Sequence, residues 1–162
     1  MFPDDILGLA TDVLSRARNG KNMIAAAESC TGGLLSAALT AVDGSSEVFD
    51  CGFTTYSYKA KTSLLGVPQG MLVEHGAVSE QVAAFMAEGA LSASSADIAV
   101  AITGIAGPGG GTIDKPVGLV CFGLAKIGYK TQTIEHIFDD EGRAIIRMNS
   151  VRQALSMLAK SL

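Results

Sequence analysis

Apolar residues recur at Ile6, Leu7, Leu9, Ala10, Val13 and Leu14, a spacing that predicts an α-helix over 4–18. Asp4 and Asp5 at its start, Arg16 and Arg18 at its end and Gly20 just beyond suit the helix dipole and close the element. Residues 22–28 read as a short buried strand. After the sharp turn Ser29-Cys30-Thr31-Gly32-Gly33, the run LLSAALTAV returns to helical spacing. A loop at Gly44-Ser45-Ser46 leads into a strand over 48–56 and a helix over 57–65 that stops near Gly66 and Pro68. Ser79 is placed as the N-cap of a helix over 80–92. Residues 97–103 form another apolar run of strand length, followed by a glycine loop from Gly104 to Thr112. Strands over 117–126 and 130–138 meet at Gly128-Tyr129 in a hairpin, and Asp139-Asp140-Glu141 opens a last helix that runs to Lys160.

The predicted order is α-β-α-β-α-α-β-β-β-α. Early βα alternation implies a largely parallel sheet, and the late hairpin implies one antiparallel strand. Strands that are apolar throughout need a cover on both faces. The expected fold is therefore an α/β class, three-layer α/β/α sandwich with a mixed, mostly parallel sheet of about five strands. The 162 residues are expected to form a single domain, 1–162.

Composition narrows the functional classes. The net charge is −4 and the pI about 5.1, so no basic excess announces a nucleic-acid surface. A local pocket can still be positive toward a small anion. Cys30, Cys51 and Cys121 form no C-x-x-C pair, and His75 and His136 belong to no ligand-spaced cluster, so no metal site is expected. The N-terminal segment lacks a basic start and a long apolar run, and no stretch approaches the ~20 apolar residues of a membrane helix. A cytoplasmic location is expected, with no membrane partner. Apolar helices such as 80–92 leave room for a homodimer, the favoured assembly.

Four constellations carry chemistry. In Glu28-Ser29-Cys30-Thr31-Gly32-Gly33, three nucleophile-capable side chains sit where a strand gives way to a helix, the edge at which open α/β sheets bind ligands. The N–H groups around Thr31 to Gly33 suit a phosphate or an oxyanion. The residue types alone do not choose among Ser29, Cys30 and Thr31, and Ser or Thr is also an ordinary N-cap. The stretch Tyr56-Ser57-Tyr58-Lys59-Ala60-Lys61 offers lysines that can replace histidine as the base beside a serine, provided burial lowers the pKa; otherwise they are solvated helix residues. The loop Thr103-Gly104-Ile105-Ala106-Gly107-Pro108-Gly109-Gly110-Gly111-Thr112 is neither a Walker A loop nor a dinucleotide fingerprint. It can form an anion nest or be a plain surface loop. Arg143 and Arg147, spaced i, i+4, share a helix face and suit either a phosphate or ion pairs with Asp139, Asp140 or a neighbouring subunit. A Cys30–His75 thiol nucleophile is a further option.

These pieces in fixed order resemble one family. The runs AAESCTGGLLSAALTAVDGSSEVF, CGFTTYSYKAK, LLGV, EHGAVSEQVAAFMAEGA and AVAITGIAGPGGGTIDKPVGLV are similar to the CinA C-terminal-domain family over nearly the whole chain. The resemblance implies the stand-alone form, an amidohydrolase without metal or cofactor. It would convert nicotinamide mononucleotide and water to nicotinic acid mononucleotide and ammonia. By resemblance, the nucleophile falls on Ser29 and the base on Lys61, with Tyr56 nearby. Substrate contacts fall on Thr31, Gly32, Gly33, Ser46, Thr103, Gly104, Gly107, Gly109 and Arg147. Tyr58-Lys59 stands here where the family often has Asn-Glu. The rival is a non-catalytic nucleotide-binding or regulatory module linked to competence or DNA damage, as the family name suggests.

Overall fold

The computed structural model describes residues 2–162. In chain order the elements are α1 (Asp4–Gly20), β1 (Ile24–Glu28), α2 (Leu34–Thr40), a 3-10 turn (Ser45–Glu47), β2 (Phe49–Thr54), α3 (Tyr58–Leu65), α4 (Gln69–His75), α5 (Glu80–Ser92), β3 (Ile98–Gly104), β4 (Leu119–Lys126), β5 (Gln132–Ile137) and α6 (Arg143–Ser161). The sheet order is β2-β1-β3-β4-β5. β1 pairs in parallel with β2 and β3, whereas β4 pairs antiparallel with β3 and β5. Only β4 therefore runs against the other strands, and the sheet is mixed as the late hairpin implies.

The two faces of the sheet differ in side-chain size. On one, Ile24, Ala26, Ile98, Val100, Ile102, Val120 and Phe122 pack against α1, α2 and α6. On the other, Ala25, Ala27, Ala99, Ala101 and Ala125 meet Leu65, Leu72, Val82, Met86, Ala87 and Ala90 of α3, α4 and α5. The alanine face lets α5 lie close. A Cβ at Gly123 would collide with the Ala83 carbonyl, and one at Gly89 with the Leu65 carbonyl. This close approach draws α3 in beside α5 and brings its side chains to the end of the sheet.

Three expectations change. α4 was not predicted: Gly66, Pro68, Gly70 and Gly76 punctuate residues 66–76 so densely that a helix of seven residues reads as loop. α6 starts at Arg143 and not at the acidic run, because Gly142 takes φ +96° and breaks the helix from Asp139-Asp140-Glu141. The apolar face of α5, read as room for a partner chain, is covered by the molecule's own sheet: Val82, Ala83, Met86, Ala87 and Ala90 are all buried. Among the described residues, no helix is long and apolar enough to cross a membrane.

Candidate active site

The C-terminal ends of β1, β2 and β3 meet at one edge. The Ser29 amide donates to the Ile102 carbonyl at 2.9 Å and the Thr55 amide to the Glu28 carbonyl at 2.8 Å. Immediately before the turn, Glu28 is fully buried. Its carboxylate accepts from the amides of Gly33 (3.1 Å), Leu35 (3.0 Å) and Ser36 (2.9 Å) and from the Ser36 hydroxyl (2.7 Å). These are the orphan donors of the α2 N-terminus, and the negative charge sits at the positive end of the helix. Gly32 and Gly33 take φ values of +60° and +95°, a backbone shape that side chains resist. From α6, Arg147 donates Nε to the Cys30 carbonyl at 3.0 Å and Nη2 to the Thr31 carbonyl at 2.8 Å. The turn that carries Ser29 is thus fixed from two sides.

Ser57 caps α3 by accepting the Ala60 amide at 3.0 Å. One turn in, Lys61 is 1% exposed. Its Nζ lies 2.9 Å from Ser29 Oγ and 2.7 Å from the Thr55 carbonyl oxygen. Among the described residues, no carboxylate lies within ion-pair distance of it. Burial disfavours the ammonium and lowers the Lys61 pKa to about 8. A substantial neutral fraction therefore faces the serine hydroxyl near neutral pH, the state a general base needs. Cys30 is the opposite case. It packs in the core against α1, α2 and α6, where burial pushes its thiol up to about 11. Among the described residues no hydrogen bond joins it to His75, whose imidazole sits 3.8 Å from the Glu74 carboxylate.

Ser29 and Lys61 open into a cavity of about 250 Å³, walled by Tyr56, by Ala77 and Val78 before α5, by Thr103 and the glycine loop, and by Arg143. Arg143 donates to the Gly107 carbonyl at 2.8 Å and to the Tyr56 hydroxyl at 2.9 Å. It forms no ion pair among the described residues, so a cation stands at the rim with its charge unmatched. Lys115 ties the two walls together. Its Nζ donates to the carbonyls of His75 (2.5 Å) and Val78 (2.6 Å).

Of the residues singled out from the sequence, Ser29, Cys30, Tyr56, Lys61, Thr103, Gly104, Gly107, Gly109, Gly110 and Arg143 line this cavity. Tyr56 is at its rim, 63% exposed, with its hydroxyl on Arg143 and not on the Ser29–Lys61 pair. The remaining candidates lie elsewhere. The N–H of Gly32 is taken by the Ser29 carbonyl at 3.1 Å and that of Gly33 by Glu28, so neither is free for an oxyanion. Among the described residues, the Cys30 and Thr31 amides have no acceptor, and the buried Thr31 hydroxyl is unpaired. Ser46 sits in the 3-10 turn ahead of β2, at the end of the sheet away from the cavity. Arg147 holds carbonyls of the turn, leaving Arg143 as the arginine in the cavity wall. Glu28 was not foreseen as a clamp; the carboxylate ending an otherwise apolar strand was the available signal. Among the described residues, no group of three or more His, Cys, Asp and Glu side chains converges as a metal ion would require.

Comparison with known proteins places this arrangement. The CinA C-terminal domain model matches residues 7–162. The CinA-like protein of Synechococcus sp. strain CC9902 is 49% identical over 150 residues, 93% of this chain and 36% of that protein. The crystal structure of the competence/damage inducible protein CihA from Agrobacterium tumefaciens superposes with a TM-score of 0.97 at 48% identity, covering 99% of this chain and 97% of that one. A CinA superfamily protein from Escherichia coli superposes at 0.92 with 36% identity, over 100% of this chain and 94% of the other. The chain spans about a third of the length of the curated relatives it matches. On sequence and fold together, the chain belongs to the CinA C-terminal domain family.

Proposed function

We propose that the chain is an amidohydrolase that converts nicotinamide mononucleotide and water to nicotinic acid mononucleotide and ammonia. The reading rests on the 2.9 Å contact between Ser29 Oγ and a buried lysine amine that has no carboxylate partner. The neutral Lys61 amine takes the Ser29 proton, and Oγ attacks the carboxamide carbon. The oxyanion that forms is met by the amides of Cys30 and Thr31, which have no other acceptor among the described residues. Arg147 aims this donor: by gripping the Cys30 carbonyl it turns the Thr31 N–H the opposite way, since the two lie on opposite sides of a trans peptide. As the intermediate collapses, the Lys61 ammonium returns its proton to the leaving nitrogen and ammonia departs. The amine, neutral again, activates a water that hydrolyses the acyl-serine, restoring Ser29 and releasing the acid. The substrate phosphate is held by Arg143 and the N–H groups of the Gly104–Thr112 loop.

The test is ammonia release from nicotinamide mononucleotide by the purified chain. Ser29→Ala and Lys61→Ala are expected to abolish it while the thermal unfolding transition persists. A wild-type chain that binds the nucleotide and releases no ammonia would favour the binding-module alternative.

A further inference from the structure

β5 closes one edge of the sheet and pairs only with β4. The Phe138 amide donates to the Gly118 carbonyl at 2.9 Å, so along β5 the amides of even-numbered residues turn toward β4. The amides and carbonyls of Thr133, Glu135 and Ile137 therefore point out of the sheet. Such an edge is ordinarily blunted by proline, a bulge, charged side chains or a covering loop. β5 has no proline, glycine, lysine or arginine, its register against β4 is unbroken, and Glu135 is its one carboxylate. It exposes large apolar side chains on both faces: Ile134, 39% exposed, opposite Phe122, and Ile137, 58% exposed, opposite Leu119. In the turn ahead of it, Ile127 and Tyr129 are exposed as well. The other edge of the sheet, β2, exposes only Asp50, Gly52 and Thr54.

Charge along this edge has a direction. Lys130 precedes β5, and Asp139, Asp140 and Glu141 follow it. Among the described residues none of the four is in an ion pair. A strand that is basic at one end and acidic at the other complements a copy of itself laid antiparallel, because each end then meets the opposite charge.

We propose that β5 is the seat of a two-fold dimer, in which a second copy of this chain adds its own β5 antiparallel and the two sheets become one. Hydrogen bonding fixes the parity, since residues with outward amides must pair with one another. An axis through Glu135 would set two like charges directly opposite. An axis through Thr133 would set Lys130 opposite His136 and leave the acidic run unanswered. An axis through Ile134 avoids both. Thr133 then faces Glu135 of the second copy, Ile134 faces Ile134, and Lys130 comes up beside Asp139 at each end of the seam. The two-fold closes the assembly, so no free β5 edge is left to recruit a third chain.

The experiment is sedimentation of the purified chain together with cysteine cross-linking. The wild type is expected to run as a dimer at roughly 100 μM. Glu135→Pro removes an outward N–H and spares the ladder with β4, so it should run as a monomer with an unchanged circular dichroism spectrum. Lys130→Glu should weaken the dimer by roughly 10-fold, and adding Asp139→Lys should restore it. In a non-hydrogen-bonded antiparallel pair the Cα atoms lie about 4.5 Å apart, within disulfide reach. Ile134→Cys should therefore form a disulfide-linked dimer under mild oxidation. Ile137→Cys should not, nor should the wild type with Cys30, Cys51 and Cys121 alone. A wild type that is monomeric at that concentration would overturn the proposal and leave the edge to a strand of another protein. A dimer that survives Glu135→Pro and gives no Ile134→Cys cross-link would overturn it by placing the interface elsewhere.

Discussion

Glu28 and Ser29 are consecutive, yet their side chains leave β1 on opposite faces of the sheet: the Glu28 carboxylate seats the N-terminus of α2, and the Ser29 hydroxyl meets Lys61. The clamp and the reacting group share one peptide bond, so disturbing the first displaces the second. Glu28→Gln replaces one acceptor oxygen by an amide that points its own protons at N–H donors. Stability is expected to fall by about 2–4 kcal/mol and kcat by roughly 10–100-fold. Denaturant titration and steady-state kinetics on the same protein measure the two together.

In the proposed mechanism Lys61 sets the pH dependence. Its pKa of about 8 places the acid limb of kcat/KM there, with activity rising as the amine loses its proton and levelling above. A profile that is flat from pH 6 to 9 would remove Lys61 from the role of base.

The same burial carries a stability consequence whose sign is fixed by linkage. The folded-state pKa of Lys61, about 8, lies below the ~10.4 of an unfolded lysine, so the unfolded chain binds more protons between those values. Folding is therefore penalised below pH 8 and the penalty is relieved as pH climbs toward the unfolded value. Lys61→Met should raise stability at pH 7 by about 2 kcal/mol after the lost hydrogen bond to Thr55 is counted, and the gain should shrink by pH 10. Thermal melts of both proteins across that range check it.

Arg143 and Arg147 should separate cleanly in kinetics. Arg143→Ala is expected to raise KM for the phosphorylated substrate by roughly 10-fold or more with little change in kcat, and to leave the dephosphorylated riboside unaffected. Arg147→Ala should lower kcat on both substrates, because it frees the carbonyls of Cys30 and Thr31. A KM effect from Arg147→Ala confined to the phosphorylated substrate would reverse the assignment.

Packing between α5 and the sheet admits no side chain at its tightest points. Gly89→Ala and Gly123→Ala each drive a methyl group into a backbone carbonyl, of Leu65 and Ala83 respectively, so neither can be absorbed by a rotamer change. Losses of about 3 kcal/mol are expected, at the upper end of overpacking. Because the Leu65 contact lies on α3, Gly89→Ala should also impair turnover through Lys61.

Much of this was legible in the sequence because the central strands β1, β3 and β4 are short and apolar. A mixed sheet with one reversed strand followed from βα alternation and the 128–129 turn, whereas the lateral order of the strands came from the structure alone. Ser29 and Lys61 could be paired through family resemblance, whereas no local pattern reveals that α3 carries Lys61 to the end of β1. That depends on alanines at positions 25, 27, 99 and 101 leaving space for α5. Ser46 lies at the end of the sheet opposite the cavity, a position that residue type does not reveal. The arginine pair shows a similar limit. The i, i+4 spacing gave a shared face, but the reach of each guanidinium depends on the turn and loop it meets across the layer.

With Glu28 already docked on the α2 helix end, that electropositive terminus is not open to an incoming anion. Under the proposed function, a nucleotide is left with one polarity of approach, its base leading and its phosphate trailing at the cavity rim near Arg143. The acid product of that reaction would back out by the same route, phosphate first.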